Sequence, residues 1–409
     1  MQAMPDIVAG HDILPHGCNK GIASGMPEDV EKDHVVTITI QWITTDEQLA
    51  AACARWQQLS YVALDTEFMR TDTFYPQAGL LQVADGQQVW LVDPLLIRQW
   101  QPLAGLLGHP QVIKVLHACS EDLEVLLRLT GQVPRPLFDT QLAAAYLNMG
   151  FSMGYSRLVE QVLGVELPKG ETRSDWLQRP LSGLQVCYAA EDVHHLAALY
   201  LQLAARLTPE KLGWLLEDGA GLALNAVRET CPDELYQEIK QAWRLNSRQL
   251  AVLRVLAAWR EREARRRDQP RNRIIRESCL WALARYQPGD LGALSRIEDM
   301  HPRTVRQDGP QLLELIRQAL ALPAADCPPP LPAPLPLEAG ALLKKLRAVG
   351  TRLAGQLQLA PELMLRKKVL ESLLKSGYPD GPYQLPDSLT GWRRALMGRA
   401  LLDVLENHS

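Results

Sequence analysis

The stretch Tyr61 to Arg70, YVALDTEFMR, decides how the chain is read. As a β-strand its side chains alternate, so Val62, Leu64, Thr66 and Phe68 fall on one face and Ala63, Asp65 and Glu67 on the other. Two carboxylates then point the same way. In a helix, at roughly 100° per residue, Asp65 and Glu67 would stand about 200° apart and could not share a ligand. The β-branched and aromatic content favours the strand. Side by side, the carboxylates repel unless a cation or a shared proton compensates. The stretch therefore predicts a divalent-metal site, and its competitor is a strand end running into a solvated loop.

Composition frames that choice. At 409 residues the chain exceeds what one core usually serves, so two or three domains are expected. With 47% hydrophobic and 22% charged residues it reads as a folded, soluble protein. It has no run of 18 apolar residues and no basic region leading into an apolar core near Met1, which predicts no membrane span, no secretory signal and a cytoplasmic location. The seven cysteines are odd in number and far apart, so they read as reduced thiols, mostly in the core, and no C-x-x-C zinc site is expected. Charge is unevenly spread. From Lys240 onward 28 Lys and Arg face 17 Asp and Glu, a surplus of 11, which leaves residues 1–239 at −15. A basic half beside an acidic one suggests that one part grips nucleic acid and the other needs cations to approach it.

Upstream of the strand, residues 1–36 show no periodicity and are expected to form a disordered leader. Val35 to Trp42 predicts a first strand, and Thr44 or Thr45 followed by Glu47 or Gln48 a capping box opening a helix. Downstream, Leu80 to Ala84 and Val89 to Asp93 flank Asp85-Gly86 as a hairpin. Val112 to Leu116 predicts another strand, leading through His117 to Ser120 as the N-cap of a helix with Asp122 in its first turn. Asp139-Thr140 precede a helix to Leu147, and a further helix spans Ser156 to Leu163. Ser182 and Gln185 form a second capping box, opening a helix to about Leu207. Its apolar face runs Leu184, Cys187, Leu196, Leu199 and Leu203, interrupted by Tyr188 and Asp192. A carboxylate in a core-facing stripe needs a partner, and a cation is the obvious one.

Strands alternating with helices predict a mixed sheet flanked by helices on both faces. From about Pro209 the pattern becomes all helix. Ser247 opens a helix whose end carries a basic cluster: Arg260, Arg262, Arg265, Arg266 and Arg267, continued by Arg271, Arg273 and Arg276. These read as phosphate contacts, with a solvated helix face as the alternative. Helices over Arg276 to Tyr286 and Thr304 to Leu320 complete a bundle; residues 324–337 are a Pro-rich linker, and a second bundle fills 338–409.

The candidates Asp65, Glu67, Asp122 and Asp192, with Tyr188 four residues before the last, stand in LDTEF, HACSEDLEVL and YAAEDVHHL. This resembles the DEDD exonuclease superfamily, in the branch marked by Y-x-x-x-D. The later half, in SRQLAVLRVLAAWR and RESCLWALARYQPGDLGAL, is similar to the helicase and ribonuclease D C-terminal (HRDC) domain, with a more divergent second copy after the linker. The whole arrangement is similar to the bacterial ribonuclease D family.

The resemblance implies a ribonuclease-H-like α/β exonuclease domain over 37–208. Two all-α HRDC-like bundles would follow, over 209–323 with lead-in helices and over 338–409. It implies two divalent cations, Mg²⁺ or Mn²⁺, and release of 5′-mononucleotides from RNA 3′ ends, notably of tRNA precursors, by a monomer. By the family pattern Asp65 bridges both ions, Glu67 and Asp192 hold the one beside the attacking water, Asp122 serves the other, and Tyr188 orients that water or takes its proton. Phe68 is a candidate to stack on the terminal base and His117 to reach a phosphate or sugar. Two rivals stay open: the same chemistry on DNA, and a non-catalytic nucleic-acid-binding adaptor.

Overall fold

In the computed structural model, which describes residues 12–14, 38–167 and 174–407, Tyr61–Met69 is a nine-residue strand near the middle of a seven-stranded sheet. The elements are β1 (Asp12–Leu14), β2 (Ile38–Ile43), α1 (Asp46–Trp56), β3 (Tyr61–Met69), β4 (Gln77–Ala84), β5 (Val89–Val92), α2 (Gln101–Leu107), β6 (Ile113–Leu116), α3 (Ser120–Thr130) and β7 (Leu137–Asp139). Helices follow from there: α4 (Thr140–Tyr146), α5 (Tyr155–Leu163), α6 (Gly183–Arg206), α7 (Pro209–Val227), α8 (Ser247–Arg267), α9 (Arg271–Ile274), α10 (Glu277–Tyr286), α11 (Leu291–Ser295) and α12 (Pro302–Ala321). The last are α13 (Ala339–Leu357), α14 (Pro361–Met364), α15 (Lys367–Lys375) and α16 (Gly391–Glu406). The leader expected over residues 1–36 lies outside the described residues, apart from Asp12–Leu14, whose backbone pairs antiparallel with β2.

The sheet runs β1-β2-β5-β4-β3-β6-β7. Strand β5 pairs parallel with β2 and antiparallel with β4, and β6 pairs parallel with β3 and β7, so the sheet is mixed. The hairpin between β4 and β5 turns as its sequence predicts. Asp85 Oδ1 accepts from the amides of Gln87 and Gln88, and Gly86 supplies the positive φ of +89°. Two helices open on the capping boxes read from sequence, Thr45 with Gln48 and Ser182 with Gln185.

Three local expectations need correcting. Ser120 is not an N-cap: it is already helical, Cys119 stands before it, and Cys119 makes no side-chain cap. Leu184 does not join the apolar face of α6; it is 59% exposed, and Gln185 and Ala189 turn inward instead. Strand β7 is an element that the sequence reading lacked. Of the six cysteines among the described residues, Cys53, Cys119 and Cys279 are buried; Cys231 is exposed, and Cys187 and Cys327 lie between.

The chain forms two compact units. The first contains the sheet, α1 to α7 and the C-terminal helices from Glu338 onward. In it α16 docks on α7. Trp392 stacks on Trp214 with ring centres 4.8 Å apart, and Arg393 grips Asp218 with both Nη atoms at 2.5 and 2.7 Å. Tyr146 donates to the same Asp218 carboxylate at 2.7 Å.

The second unit contains residues 228–337 and the short connector Arg70–Gln77 between β3 and β4. Its core gathers Leu250, Leu253, Leu256, Trp259, Leu280, Leu283 and Ile316, and Phe74 from the connector joins them. Asp268, which ends α8 at φ +47°, accepts both connector amides, Phe74 N and Tyr75 N, at 3.0 Å. Helix α13 ends the same way: Gln358 has φ +52°, and a four-residue helix follows each terminus.

Candidate active site

Strand β3 delivers Asp65 and Glu67 and α6 delivers Asp192. One carboxylate oxygen from each lies within 4.8 Å of the other two, and all three side chains are half-buried. The alternation of the strand and the register of α6 produce this together: β3 faces α6, and Asp192 lies one turn beyond Tyr188 along it. Asp122, in the first turn of α3, comes in from the other side. Its Oδ1 accepts from Thr66 Oγ1 at 2.5 Å, and its charge acts on both Asp65 and Glu67. Three carboxylates scattered over 128 positions of sequence, Asp65, Glu67 and Asp192, thus meet around one point, and Asp122 stands near enough for its charge to act on Asp65 and Glu67.

Their crowding shows in their acidity. Burial, followed by the charges of Asp122, Asp192 and Glu67, holds Asp65 well above the ordinary carboxylate range. Burial and then Asp192 and Asp122 push Glu67 up to about 8. Burial pushes Asp192 up to about 7 against the hydrogen bond from Tyr188, and Asp122 up to about 6 against the bond from Thr66. Without a cation the cluster binds protons; hard oxygen donors at this spacing suit a hard divalent ion.

Tyr188 donates its hydroxyl to Asp192, and burial together with the Asp192 and Glu67 charges raises its pKa above the ordinary phenol value, so the phenol stays protonated. Behind it lies Trp176, fully buried, with ring centres 6.2 Å apart. Trp176 fits because residue 79 is glycine: a Cβ there would stand 2.6 Å from both the Cβ and the carbonyl oxygen of Trp176.

Of the substrate candidates, Phe68 is half-buried where β3 ends, on the Thr66 side of the strand. His117 follows β6 directly, with Nδ1 2.9 Å from Thr140 Oγ1 and its ring edge-on to Tyr155. Tyr155 itself was not picked out in the sequence. It donates its hydroxyl to the main-chain oxygen of Asp192, and a polar tip at the start of an otherwise amphipathic helix gave no signal of that.

The arginine cluster lies in the second unit and is largely paired. Arg260 is 7% exposed and therefore cannot serve as a phosphate contact. Arg265 and Arg271 both bind Glu261, and Arg267 binds Glu263 and Asp308. Arg262, Arg266, Arg273 and Arg276 pair with Asp233, Glu263, Asp72 and Asp299, yet each leaves more than half of its side chain in solvent.

Comparison with known proteins places these features in a family context. A family model described as a 3′-5′ exonuclease matches residues 40–208, and one described as an HRDC domain matches residues 249–316. A ribonuclease D of Pseudomonas paraeruginosa is 64% identical over 368 residues, covering 90% of this chain and 98% of the relative. The ribonuclease D of Escherichia coli is 38% identical over 373 residues, covering 90% and 99%. The crystal structure of Escherichia coli RNase D, described as an exoribonuclease involved in structured RNA processing, superposes with a TM-score of 0.83 over 90% of this chain and 99% of that one. The catalytic core of RRP6 from Trypanosoma brucei matches at 25% identity and a TM-score of 0.53, over 70% of this chain and 82% of that one.

Proposed function

This chain belongs to the ribonuclease D family of 3′-5′ exoribonucleases, and on that footing we propose that Asp65, Glu67, Asp122 and Asp192 hold two divalent cations, Mg²⁺ or Mn²⁺, at the 3′ end of an RNA strand. The protein is a hydrolase of phosphodiester bonds with an HRDC domain. The observation that carries the proposal is the convergence of three carboxylate oxygens within 4.8 Å, with Asp122 held beside them by Thr66. When bound, the ions supply charge stabilisation to the attacking water and to the departing 3′ oxygen.

The side chains divide the remaining work. Asp65 would serve both ions, Glu67 and Asp192 would hold the one that activates the attacking water, and Asp122 would hold the other, which stabilises the leaving oxygen. Tyr188 orients the attacking water. A phenol, with an ordinary pKa of about 10, is a poor base, so its hydroxyl, held on Asp192, serves to place the water rather than to take its proton. Phe68 stacks on the terminal base and His117 borders its sugar. Arg262, Arg266, Arg273 and Arg276 exchange their carboxylate partners for RNA phosphates, which makes binding steeply salt-dependent.

The substrates we propose are RNAs with trimmable 3′ ends, tRNA precursors among them, and the protein acts as a cytoplasmic monomer. Among the described residues no helix is long and apolar enough to cross a membrane. We assign residues 37–208 to the exonuclease domain, 209–323 to the HRDC-like region with its lead-in helices, 324–337 to the linker and 338–409 to a second, divergent HRDC-like bundle. The matching termini of α8 and α13 support that last assignment.

The test is incubation of 5′-labelled and 3′-labelled RNA and DNA of one sequence with and without Mg²⁺ or Mn²⁺. Mononucleotide release from the 3′ end of RNA, dependent on the ion, is expected. Equal digestion of DNA, or digestion in the presence of a chelator, contradicts the reading.

A further inference from the structure

We propose that Asp139 is a positioning residue for Asp122, acting through the strained turn at Ala118. The inference rests on the reading of Asp122 as an ion ligand. Only His117, Ala118 and Cys119 separate β6 from α3, so the conformation of these three residues decides where the first turn of α3, and Asp122 with it, stands relative to Asp65.

That conformation is not one the three residues would choose. Ala118 has φ +51°, in the left-handed region that glycine tolerates and alanine resists, and its side chain is exposed, so no packing of its own compensates. The bond from Ser120 N to Ala118 O, at 2.8 Å, closes the turn. Strain of this kind persists only where the surroundings impose it.

The imposing group is the Asp139 carboxylate, 2% exposed at the end of β7. Its Oδ1 caps α4, accepting from Gln141 N at 2.8 Å and Leu142 N at 3.2 Å, and also takes Ala118 N at 3.2 Å. Its Oδ2 accepts from Cys119 N at 3.1 Å. The next residue works on the same segment: Thr140 Oγ1 donates to Leu116 O at 3.2 Å and lies 2.9 Å from His117 Nδ1. Capping α4 accounts for one oxygen only. The second is spent on the turn, and α3, which lacks a side-chain cap of its own, begins where that oxygen fixes Cys119.

The two roles can be separated chemically. Asparagine caps helices as well as aspartate does, so Asp139→Asn keeps Oδ1 and the α4 cap; its amide group, a donor, cannot accept from Cys119 N. Ala118→Gly makes the left-handed turn accessible without support. Ala118→Val makes it harder while adding atoms that meet only solvent.

The readout is Mn²⁺ binding to the full-length protein, followed by electron paramagnetic resonance, with thermal unfolding of the ion-free protein in parallel. Asp139→Asn is expected to weaken the weaker Mn²⁺ site by roughly tenfold or more, the usual effect of losing a residue that orients a ligand. Ala118→Gly added to Asp139→Asn is expected to recover most of that affinity, and Ala118→Val alone to reproduce the loss. Parental Mn²⁺ affinity in Ala118→Val overturns the proposal even if Asp139→Asn does not fold. Parental affinity in folded Asp139→Asn, or a defect that Ala118→Gly leaves unchanged, overturns it too. Asp122→Ala is the control: if it binds Mn²⁺ like the parent, the reading of Asp122 as a ligand falls. If it weakens binding and Asp139→Asn does not, only the present inference falls.

Discussion

Arg179 and Asp93 meet as a two-pronged ion pair, Nε to Oδ2 and Nη2 to Oδ1, both at 2.7 Å. The guanidinium has no N–H left over: Nη2 also donates to Gly79 O at 2.6 Å, and Nη1 to the carbonyls of Trp176 and Gln178 at 2.9 Å. One side chain thus ties the end of β5, the start of β4 and the segment that carries Trp176 just before α6. Lysine can replace the charge but not the fork. Arg179→Lys should lower stability by about 2 kcal/mol, as leaving buried acceptors without their donors does, and reduce turnover because the wall behind Tyr188 loosens. Urea unfolding checks the first, and a midpoint equal to the parent's refutes it.

Tyr188→Phe should lower turnover by roughly 10²-fold, the scale expected when a reacting group loses its alignment. The hydroxyl touches Asp192, so Mn²⁺ affinity should fall by no more than roughly tenfold, the low end for losing a group that orients a ligand and well short of the loss in turnover. Single-turnover kinetics on a short labelled RNA, set against Mn²⁺ titration, separates the two. A variant as fast as the parent removes Tyr188 from the reaction.

Stability of the ion-free protein should fall as the pH rises. Asp65, Glu67, Asp122 and Asp192 all bind protons more tightly in the folded chain than in the unfolded one, with Glu67 at about 8, Asp192 at about 7 and Asp122 at about 6. Between about pH 4 and pH 8 the folded state therefore carries the extra protons, and each one shed costs stability. Thermal unfolding in chelator should show a midpoint several degrees higher at pH 5.5 than at pH 8.5. Saturating Mg²⁺ should raise the alkaline midpoint and flatten the profile, and a profile rising with pH in chelator contradicts the crowded site.

Arg393→Ala should weaken the seat of α16 on α7. It removes both bonds to Asp218, leaving that carboxylate with Tyr146 alone, and the cation above the Trp392 ring at 4.2 Å. A loss of about 3 kcal/mol is expected, together with a change in tryptophan emission as the Trp214 and Trp392 stack is disturbed. Unchanged emission and stability would show the pair to be energetically idle.

Much of this was legible beforehand, and the reasons differ from place to place. Asp65 and Glu67 stood out because a period of two puts them on one face, and Asp192 because it interrupts an apolar stripe; both signals are local. Strand β7 was hidden because its three residues, the last of which is also the cap of α4, are too few to show alternation. Ser120 looked like a cap because the rule concerns neighbours in sequence, whereas the amides before α3 are bound by Asp139, about twenty positions on. The arginine cluster showed its charge but not its partners. Glu261 and Glu263 lie on the same helix, yet Asp72, Asp233, Asp299 and Asp308 reach it only through the fold.

The connector Arg70–Gln77 bears on how this molecule can be dissected. It leaves the strand that carries Asp65 and Glu67, yet its Phe74 lies in the core of the helical unit and its amides are held by Asp268. A recombinant fragment stopping after α6 would keep all four candidate carboxylates but strip Phe74 of its cover, inviting aggregation just downstream of Glu67. Deleting the helices is therefore a poor way to ask what they contribute to RNA capture, and surface substitutions in the intact chain are the cleaner instrument.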